Sequence, residues 1–299
     1  MQAAQLQWQD DALLVRAPAK INLSLLIAGK RPDGYHEIDT VMAKVDWHDE
    51  LLFEKAPAGD LQLFCTGPNW APQGPENHVF TACRMLAEYT GYAGGIKVTL
   101  NKRIPAGTGL GSASSDAAAA LIGLNEFASL GISRDELAEM AARIGSDVPF
   151  FLNGPLGRCT GRGEKISLIT TTYPFSAILV LPSIGVSTKK VYARYEHDTA
   201  QYRKASALVG GHLAAGRIDL LAAACLNMLE DACFALHHGL RDLKKALMNL
   251  GIGPVCLSGS GSAMYILTGD VDEATSNNIR QLIHERTGCE SVRVRNNRW

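Results

Sequence analysis

Short apolar runs and segments with a helical period alternate along the first half of the chain. Runs rich in β-branched and other apolar residues predict strands, and they cover residues 13–28, 41–54, 60–65 and 95–101. Apolar residues recurring every three to four positions predict helices over residues 77–89, 112–130 and 133–144. Gly91 is a predicted C-cap, and Ser133 with Glu136 matches a capping box. The first half is therefore predicted to mix mostly antiparallel strands with helices.

The second half has a different order of elements. After an apolar strand at 175–181, helices are predicted at 189–194, 205–214, 220–234 and 240–249. Strands at 255–257 and 263–267, a helix at 272–286 and a strand at 289–294 follow. A strand–helix–strand–strand–helix–strand order is that of a ferredoxin-like α+β unit. The 299 residues suffice for two domains, which we place at residues 1–163 and 164–299.

The junction of the strand at 95–101 and the helix at 112–130 carries three alternating glycines, Gly107, Gly109 and Gly111. Glycine permits positive φ and a close approach of the backbone to a ligand. Successive N–H groups in such a loop form a concavity for anions, and the following helix adds its free N–H groups and positive dipole end. The segment is therefore predicted to hold phosphates.

The known phosphate loops differ from this one. A Walker A loop has a lysine after its glycines, and none follows here. A dinucleotide fingerprint has a different glycine spacing, and the protein-kinase glycine loop covers the nucleotide with strands rather than opening a helix. A glycine-rich connector with a serine cap is the remaining structural alternative.

Three segments, taken in order, resemble the GHMP kinases, a family of small-molecule kinases with their own phosphate loop. They are Ala-Pro-Ala-Lys-Ile-Asn-Leu at 17–23, Pro-x-Gly-x-Gly-Leu-Gly-Ser-x-Ser-Ser at 105–115, and Leu-Ser-Gly-Ser-Gly-Ser-Ala at 257–263. The resemblance implies ATP with Mg²⁺, a cleft between two domains, an N-terminal domain like ribosomal protein S5 domain 2, and a ferredoxin-like C-terminal domain.

A narrower resemblance lies in Arg-x-Asp-Gly-Tyr-His-Glu at 31–37 with Thr40, and in segments at 145–151, 161–164 and 185–192. These segments are similar to those of the GHMP kinases that act in the non-mevalonate isoprenoid pathway. The implied reaction is ATP-dependent phosphorylation of the 2-hydroxyl of a methylerythritol that is linked to cytidine diphosphate.

Phosphoryl transfer depends on positioning and on neutralising charge, and a carboxylate beside a lysine can accept the proton of the attacking hydroxyl. By resemblance, Lys20 and Asp147 are the catalytic pair. Asn22, two residues after Lys20 on one face of a strand, is expected to bind substrate.

The remaining candidate site residues follow from the same resemblance. The expected ATP-binding residues are Pro105, Ala106, Gly107, Thr108, Gly109, Leu110, Gly111, Ser112, Ala113, Ser114 and Ser115. The third glycine motif is Gly259, Ser260 and Gly261. A cytosine is expected to lie against Tyr35 and His36 on one side and Thr188 and Tyr192 on the other.

Two positions depart from the family pattern that we expect. Ala113 stands where Gly or Ser is usual, and its small side chain should be harmless. Asp116 stands where Asn is frequent, one helical turn from the expected phosphates. Its carboxylate should therefore be angled away from ATP or offset by Mg²⁺.

Composition limits the partners. The net charge of −1 gives no field toward nucleic acid or membrane, no apolar run approaches 18 residues, and the first residues lack a secretion-signal pattern. Seven cysteines without a C-x-x-C pair argue against a disulfide framework or zinc site and for a reducing cytoplasm. The expected partner is a small molecule, and the oligomeric state is left open.

Two other functions remain. One is the same chemistry on another alcohol, such as homoserine or mevalonate, which the Asp-Gly-Tyr-His segment at 33–36 argues against. The other is a non-catalytic nucleotide-binding module, which an intact Lys20 and Asp147 argue against.

Overall fold

Two β-sheets and the helices between and around them make up the structure, a computed structural model that describes residues 5–171, 173–269 and 271–296. The strands of the first sheet are β1 (Leu6–Gln9), β2 (Ala12–Lys30), β3 (His36–Ala56), β4 (Leu61–Thr66), β5 (Gly95–Asn101), β6 (Leu156–Gly161), β7 (Lys165–Leu168) and β9 (Leu226–Asn227). They run in the order β1-β2-β3-β5-β4, with β6 beside β3, β7 beside β6 and β9 beside β2. The β2–β3 pair is antiparallel over most of its length and forms the centre of the sheet.

The second sheet has the order β10-β11-β8-β12 and is antiparallel throughout. Its strands are β8 (Ser176–Leu181), β10 (Val255–Leu257), β11 (Met264–Leu267) and β12 (Glu290–Arg295). With α10 (Glu273–Thr287) between the last two, this order confirms the predicted ferredoxin-like arrangement.

Helices pack against both sheets. They are α1 (His78–Thr90), α2 (Ser112–Phe127), α3 (Arg134–Ile144), α4 (Val148–Leu152), α5 (Thr188–Arg194), α6 (Thr199–Ala214), α7 (Ile218–Ala223), α8 (Glu230–Leu236) and α9 (His238–Met248), in addition to α10. The predicted cap of α1 at Gly91 and the capping box of α3 are both confirmed.

Three apolar cores hold these layers together. The first lies between the first sheet and α1–α4, the second between the two sheets with α6 and α7, and the third between the second sheet and α5, α8, α9 and α10. The alanines at 117–120 of α2 are all fully buried, because small side chains let this helix approach the sheet closely. The start of α2 is thereby fixed against β2.

One predicted element was wrong. The single helix expected at 220–234 is divided into α7, β9 and α8, because Asn227 pairs as a strand with β2 and its side chain bonds the carbonyls of Leu257 and Gly259. After α4 the chain forms β6, which pairs with β3. The β6–β7 hairpin crosses the proposed domain boundary between residues 163 and 164. The boundary itself stays a prediction.

The sequence argued against disulfide bonds, and this expectation was wrong. Cys225 and Cys256 are joined by a disulfide. The sequence gives no sign of this bond, because the two cysteines are 31 positions apart. They meet only through the packing of β10 against α7 and β9.

One buried lysine fixes the position of α4. Lys44 of β3 is 2% exposed, and its Nζ donates to the carbonyl oxygens of Phe151 (2.9 Å) and Asn153 (2.6 Å) at the end of that helix. Burial, with a smaller effect from Arg134, lowers the pKa of Lys44 to about 7. The folded chain therefore releases this proton near neutrality, whereas the unfolded chain keeps it until about pH 10.5.

We expect the free energy of unfolding of the wild-type protein to rise between pH 7 and pH 9, relative to that of the Lys44→Met variant. In this window the unfolded state binds the lysine proton and the folded state does not, so the wild-type protein gains stability with pH, by roughly 2 kcal/mol. Urea unfolding of both proteins at the two pH values measures the difference, in which all other titrating groups cancel. Parallel pH profiles would show that Lys44 stays protonated in the folded protein.

Candidate active site

The first glycine loop, residues 105–111, connects β5 to α2 in a conformation that only glycine adopts readily. Gly107, Gly109 and Gly111 have φ values of 70°, 77° and 72°. The carbonyl oxygens of the four residues 107–110 all accept hydrogen bonds from other parts of the protein. Within the part of the chain that the structure describes, the N–H groups of residues 107–111 have no hydrogen-bond partner. The loop therefore offers a row of free donors, which is the arrangement of an anion site.

The hydroxyl groups after this loop have different surroundings. Ser115 Oγ is buried and has no hydrogen-bond partner among the described residues. Ser112 Oγ is instead turned toward Lys102 and Asp49, and the exposed Ala113 lies between it and the half-buried Ser114. An unpartnered buried hydroxyl costs free energy, so Ser115 differs from Ser112, whose hydroxyl is bonded by Lys102 and Asp49.

A second glycine loop, residues 258–262, packs directly against the first. A Cβ atom on Gly109 would lie 2.1 Å from the carbonyl oxygen of Ser258, and the N–H of Ala263 donates to the carbonyl oxygen of Thr108 (3.0 Å). Ser260 Oγ lies 2.8 Å from Thr188 Oγ1 at the start of α5. The two glycine loops that the family resemblance singled out are therefore adjacent, and Thr188 bonds the second of them.

Lys20 lies across the first glycine loop. Its Nζ donates to Gly109 O (2.8 Å) and to Asn22 Oδ1 (2.6 Å) and is 3.8 Å from Asp147 Oδ2. A Cβ on Gly111 would lie 2.9 Å from Lys20 Cγ, so only glycine leaves room for this side chain. Burial lowers the pKa of Lys20, and Asp147 acts in the opposite direction.

Asp147 occupies the N-cap position of α4 but makes no capping hydrogen bond. Its side chain is 33% exposed, compared with 4% for Lys20. A Cβ on Gly163 would lie 3.5 Å from Asp147 Oδ1, so the turn after β6 lies beside this carboxylate. The structure thus brings the two predicted catalytic residues into one ion pair, with the carboxylate at the open side.

Asn22 shares the face of β2 with Lys20, as the strand period predicted. Its Oδ1 accepts from Lys20, its Nδ2 donates to Thr40 Oγ1 (2.8 Å), and its N–H and carbonyl bond Ser258 and Tyr265. The side chain therefore orients Lys20, and the expectation that Asn22 binds substrate stays a prediction.

The aromatic residues predicted to hold a base lie close together. The rings of His36 and Tyr192 have centroids 5.2 Å apart, and Tyr195, which the sequence analysis missed, meets His36 edge-on at 5.9 Å. Tyr35 is 54% exposed, and the guanidinium of Arg162 lies 5.1 Å from the centre of its ring. Burial lowers the pKa of His36, as do Lys30 and His197, so this imidazole favours the neutral form.

The sequence also missed an ion cluster behind the loop. Asp116, expected to be angled away from the phosphates or offset by a metal, is 2% exposed and bonds Lys102 at 2.6 Å. Lys102 also pairs with Asp49 of β3. Ion pairs between residues 53 and 14 positions apart leave no local pattern in a sequence.

The described residues contain no group of three or more His, Cys, Asp or Glu side chains that could hold a metal ion. No helix in the described ranges is long and apolar enough to cross a membrane.

Comparison with known families gives two matches. Residues 77–155 match the N-terminal domain of the GHMP kinases, and residues 211–284 match the C-terminal domain of the same family. These ranges contain the first and second glycine loops, respectively.

Solved structures resemble the chain over nearly its full length. A 4-(cytidine 5'-diphospho)-2C-methyl-D-erythritol kinase superimposes with a TM-score of 0.74 at 28% identity, covering 95% of this chain and 99% of that one. A homoserine kinase from Cytophaga hutchinsonii has a TM-score of 0.73 at 21% identity, covering 97% and 96%, and shows the shared fold alone. The predicted two-domain α+β fold of the GHMP kinases is thereby confirmed.

Curated relatives narrow the assignment. A 4-diphosphocytidyl-2-C-methyl-D-erythritol kinase from Pelotomaculum thermopropionicum is 39% identical over 260 residues, 86% of this chain and 90% of the relative. One from Brevibacillus brevis is 38% identical, over 85% of this chain and 86% of the relative. The chain therefore belongs to the GHMP kinases and, within them, to the family of 4-diphosphocytidyl-2-C-methyl-D-erythritol kinases.

Proposed function

We propose that this chain transfers the γ-phosphoryl group of ATP to the 2-hydroxyl of 4-diphosphocytidyl-2-C-methyl-D-erythritol, a step of isoprenoid biosynthesis. The observation that carries the proposal is the Lys20–Asp147 pair, 3.8 Å apart, beside a glycine loop whose N–H groups have no partner among the described residues. Incubation with ATP and a panel of alcohols that includes homoserine and mevalonate, followed by mass analysis of the products, tests it. Phosphorylation of another alcohol in preference to the cytidine compound would contradict it.

The first glycine loop is proposed to hold the triphosphate. Five free N–H groups, the N-terminus of the 16-residue α2 and the unpartnered Ser115 hydroxyl all lie at one place. Backbone donors and the dipole favour negative charge there. Gly259, Ser260 and Gly261 are proposed to complete the cradle from the other side.

The pair and the loop supply the groups of this chain that act in the proposed reaction. The substrate hydroxyl gives its proton to Asp147 as its oxygen forms a bond to the γ-phosphorus, and the bond from that phosphorus to the β,γ-bridging oxygen breaks to release ADP. Lys20, held by Gly109 O and Asn22, places its positive charge where the transferring oxygens become more negative. Asp147 is the member of the pair that solvent reaches, which is required of a group that contacts an entering substrate.

Mg²⁺ is proposed to enter with the nucleotide. It usually keeps several waters and binds substrate phosphates with one or two protein oxygens. The lack of a carboxylate cage among the described residues fits a metal held mainly by ATP and water. When bound, it neutralises phosphate charge.

The cytidine is proposed to lie against His36, Tyr35 and Tyr192, in a cleft between the units at 1–163 and 164–299. The proposed cytidine site adjoins the proposed phosphate site, because α5 carries Tyr192 and also bonds the second glycine loop through Thr188. A neutral imidazole at His36 can donate or accept, as reading a base edge requires. A cytoplasmic location stays a prediction from the sequence.

Replacing Asp147 with Asn should lower kcat by roughly 10²-fold or more, the usual effect of losing a general base. The amide keeps the size of the side chain but cannot take the proton, so the Kd for ATP should change little. Steady-state kinetics and calorimetry measure the two quantities. Asp242→Asn on the exposed face of α9 is the control, and near-normal turnover by Asp147→Asn would remove this residue from the chemistry.

Replacing Gly109 with Ala should weaken ATP binding by tenfold or more, about 1.4 kcal/mol. The new Cβ would lie 2.1 Å from Ser258 O and would separate the two glycine loops. Gly131→Ala is the matched control, because Gly131 has a similar φ of 68° with open space around it. Calorimetry with ATP compares the variants, and equal affinities would mean that the packing of the loops does not shape the nucleotide site.

Replacing Tyr192 with Ala should raise KM for the cytidine substrate by roughly 5- to 150-fold, since stacking on a ring is worth about 1–3 kcal/mol per base. KM for ATP should remain nearly constant, and Tyr192→Phe, which keeps the ring, should behave like the wild type. His36→Ala should in addition reduce discrimination between cytidine and uridine versions. If Tyr192→Ala raises both KM values equally, the ring serves packing.

A further inference from the structure

Three buried ionisable side chains lie directly behind the first glycine loop. Lys102, which follows β5, has a side chain only 3% exposed. Its Nζ lies 2.5 Å from Asp49 Oδ2 of β3 and 2.6 Å from Asp116 Oδ2 of α2. The same ammonium group donates to Ser112 Oγ. Such a cluster is expensive to bury, and the proposed reaction does not use it.

The cluster holds the chain on both sides of the loop. On the entering side, Asp49 Oδ1 accepts from the N–H groups of Arg103 (2.5 Å) and Ile104 (2.8 Å). On the leaving side, Lys102 bonds Ser112 and Asp116 in the first two turns of α2. One ion cluster therefore closes the base of the loop, and charge-assisted hydrogen bonds of this kind are strong and directional.

We propose that Lys102, Asp49 and Asp116 form a positioning centre that fixes the first glycine loop in the shape that binds the phosphates of ATP. The inference rests on the proposed ATP site and adds three positioning residues to it. A loop held in its binding shape loses less conformational freedom when a ligand binds. The centre therefore acts on nucleotide affinity, and not on the transfer step at Lys20 and Asp147.

Charge balance in the cluster supports this role. Two carboxylates and one ammonium group would leave a negative charge behind an anion site. The groups that face Asp116 are Lys102, Asp49 and the thiol of Cys65 on β4. Burial raises the pKa of Asp116 to about 8, with Asp49 acting in the same direction and Lys102 against it. Burial also raises the pKa of Cys65, so that its thiol stays neutral. As the pH rises above this value, Asp116 ionises and the cluster gains negative charge behind the loop.

The test compares two substitutions at Asp116 by calorimetry with ATP alone and by steady-state kinetics. Asp116→Ala removes one partner of Lys102 and should weaken ATP binding by at least about fivefold, the lower end of typical coupling between groups. Its kcat at saturating ATP and its KM for the alcohol should change little. Asp116→Asn keeps an oxygen for Lys102 and should restore affinity at pH 7. The ATP affinity of the wild type should fall between pH 7 and pH 9 as Asp116 ionises, and Asp116→Asn should not show this decrease.

Glu230→Gln is the control, since Glu230 forms a comparable ion pair with Lys244 (2.7 Å) between α8 and α9. A folded Asp116→Ala variant that binds ATP like the wild type would overturn the proposal. If that variant does not fold, the pH profile of Asp116→Asn decides, and a profile equal to that of the wild type would overturn it. A wild-type protein that binds ATP without phosphorylating the cytidine compound would contradict the proposed reaction and leave this test intact.

Discussion

The hydrogen bond from the Lys20 ammonium group to the carbonyl oxygen of Gly109 joins the parts of the candidate site. That carbonyl also accepts from Ser258 Oγ, so β2 and both glycine loops meet at one oxygen atom. A bond with a charged donor in a buried place is strong, and it turns the carbonyl toward the protein. The N–H groups of the loop are then left for a ligand. The geometry of the reacting pair and the geometry of the phosphate site therefore depend on the same contact.

The parts of this arrangement that the sequence predicted are those with local physical causes. Positive φ at residues 107, 109 and 111 is a property of glycine, and the loop with its following helix could be placed from it. The capping box at Ser133 and the cap at Gly91 are equally local. Lys20 and Asn22 were placed on one face by the strand period alone. The roles of the site residues stay predictions, derived from the family resemblance.

Long-range contacts explain what the sequence could not predict. Apolar periodicity suggested one helix at 220–234, but the pairing of Asn227 with β2 and its bonds to the second glycine loop divide it. The bond between Thr188 and Ser260, 72 positions apart, leaves no local pattern either. A register shift between Pro18 and Lys20 moves Ala17 and Ala19 into different cores. A bulge of this kind depends on the partner strand, so the sequence of β2 does not reveal it.

The length of β2 has a consequence for how the protein unfolds. This 19-residue strand contributes Val15 to the first core, Ile21 to the second and Ile27 to the third. Elements whose contacts lie in one core can open by themselves, whereas an element shared by all three can open only when each of them is disrupted. The amide hydrogens of β2 should therefore exchange with solvent only through global unfolding. The floor of the candidate site, which this strand forms, belongs to the most slowly exchanging part of the molecule.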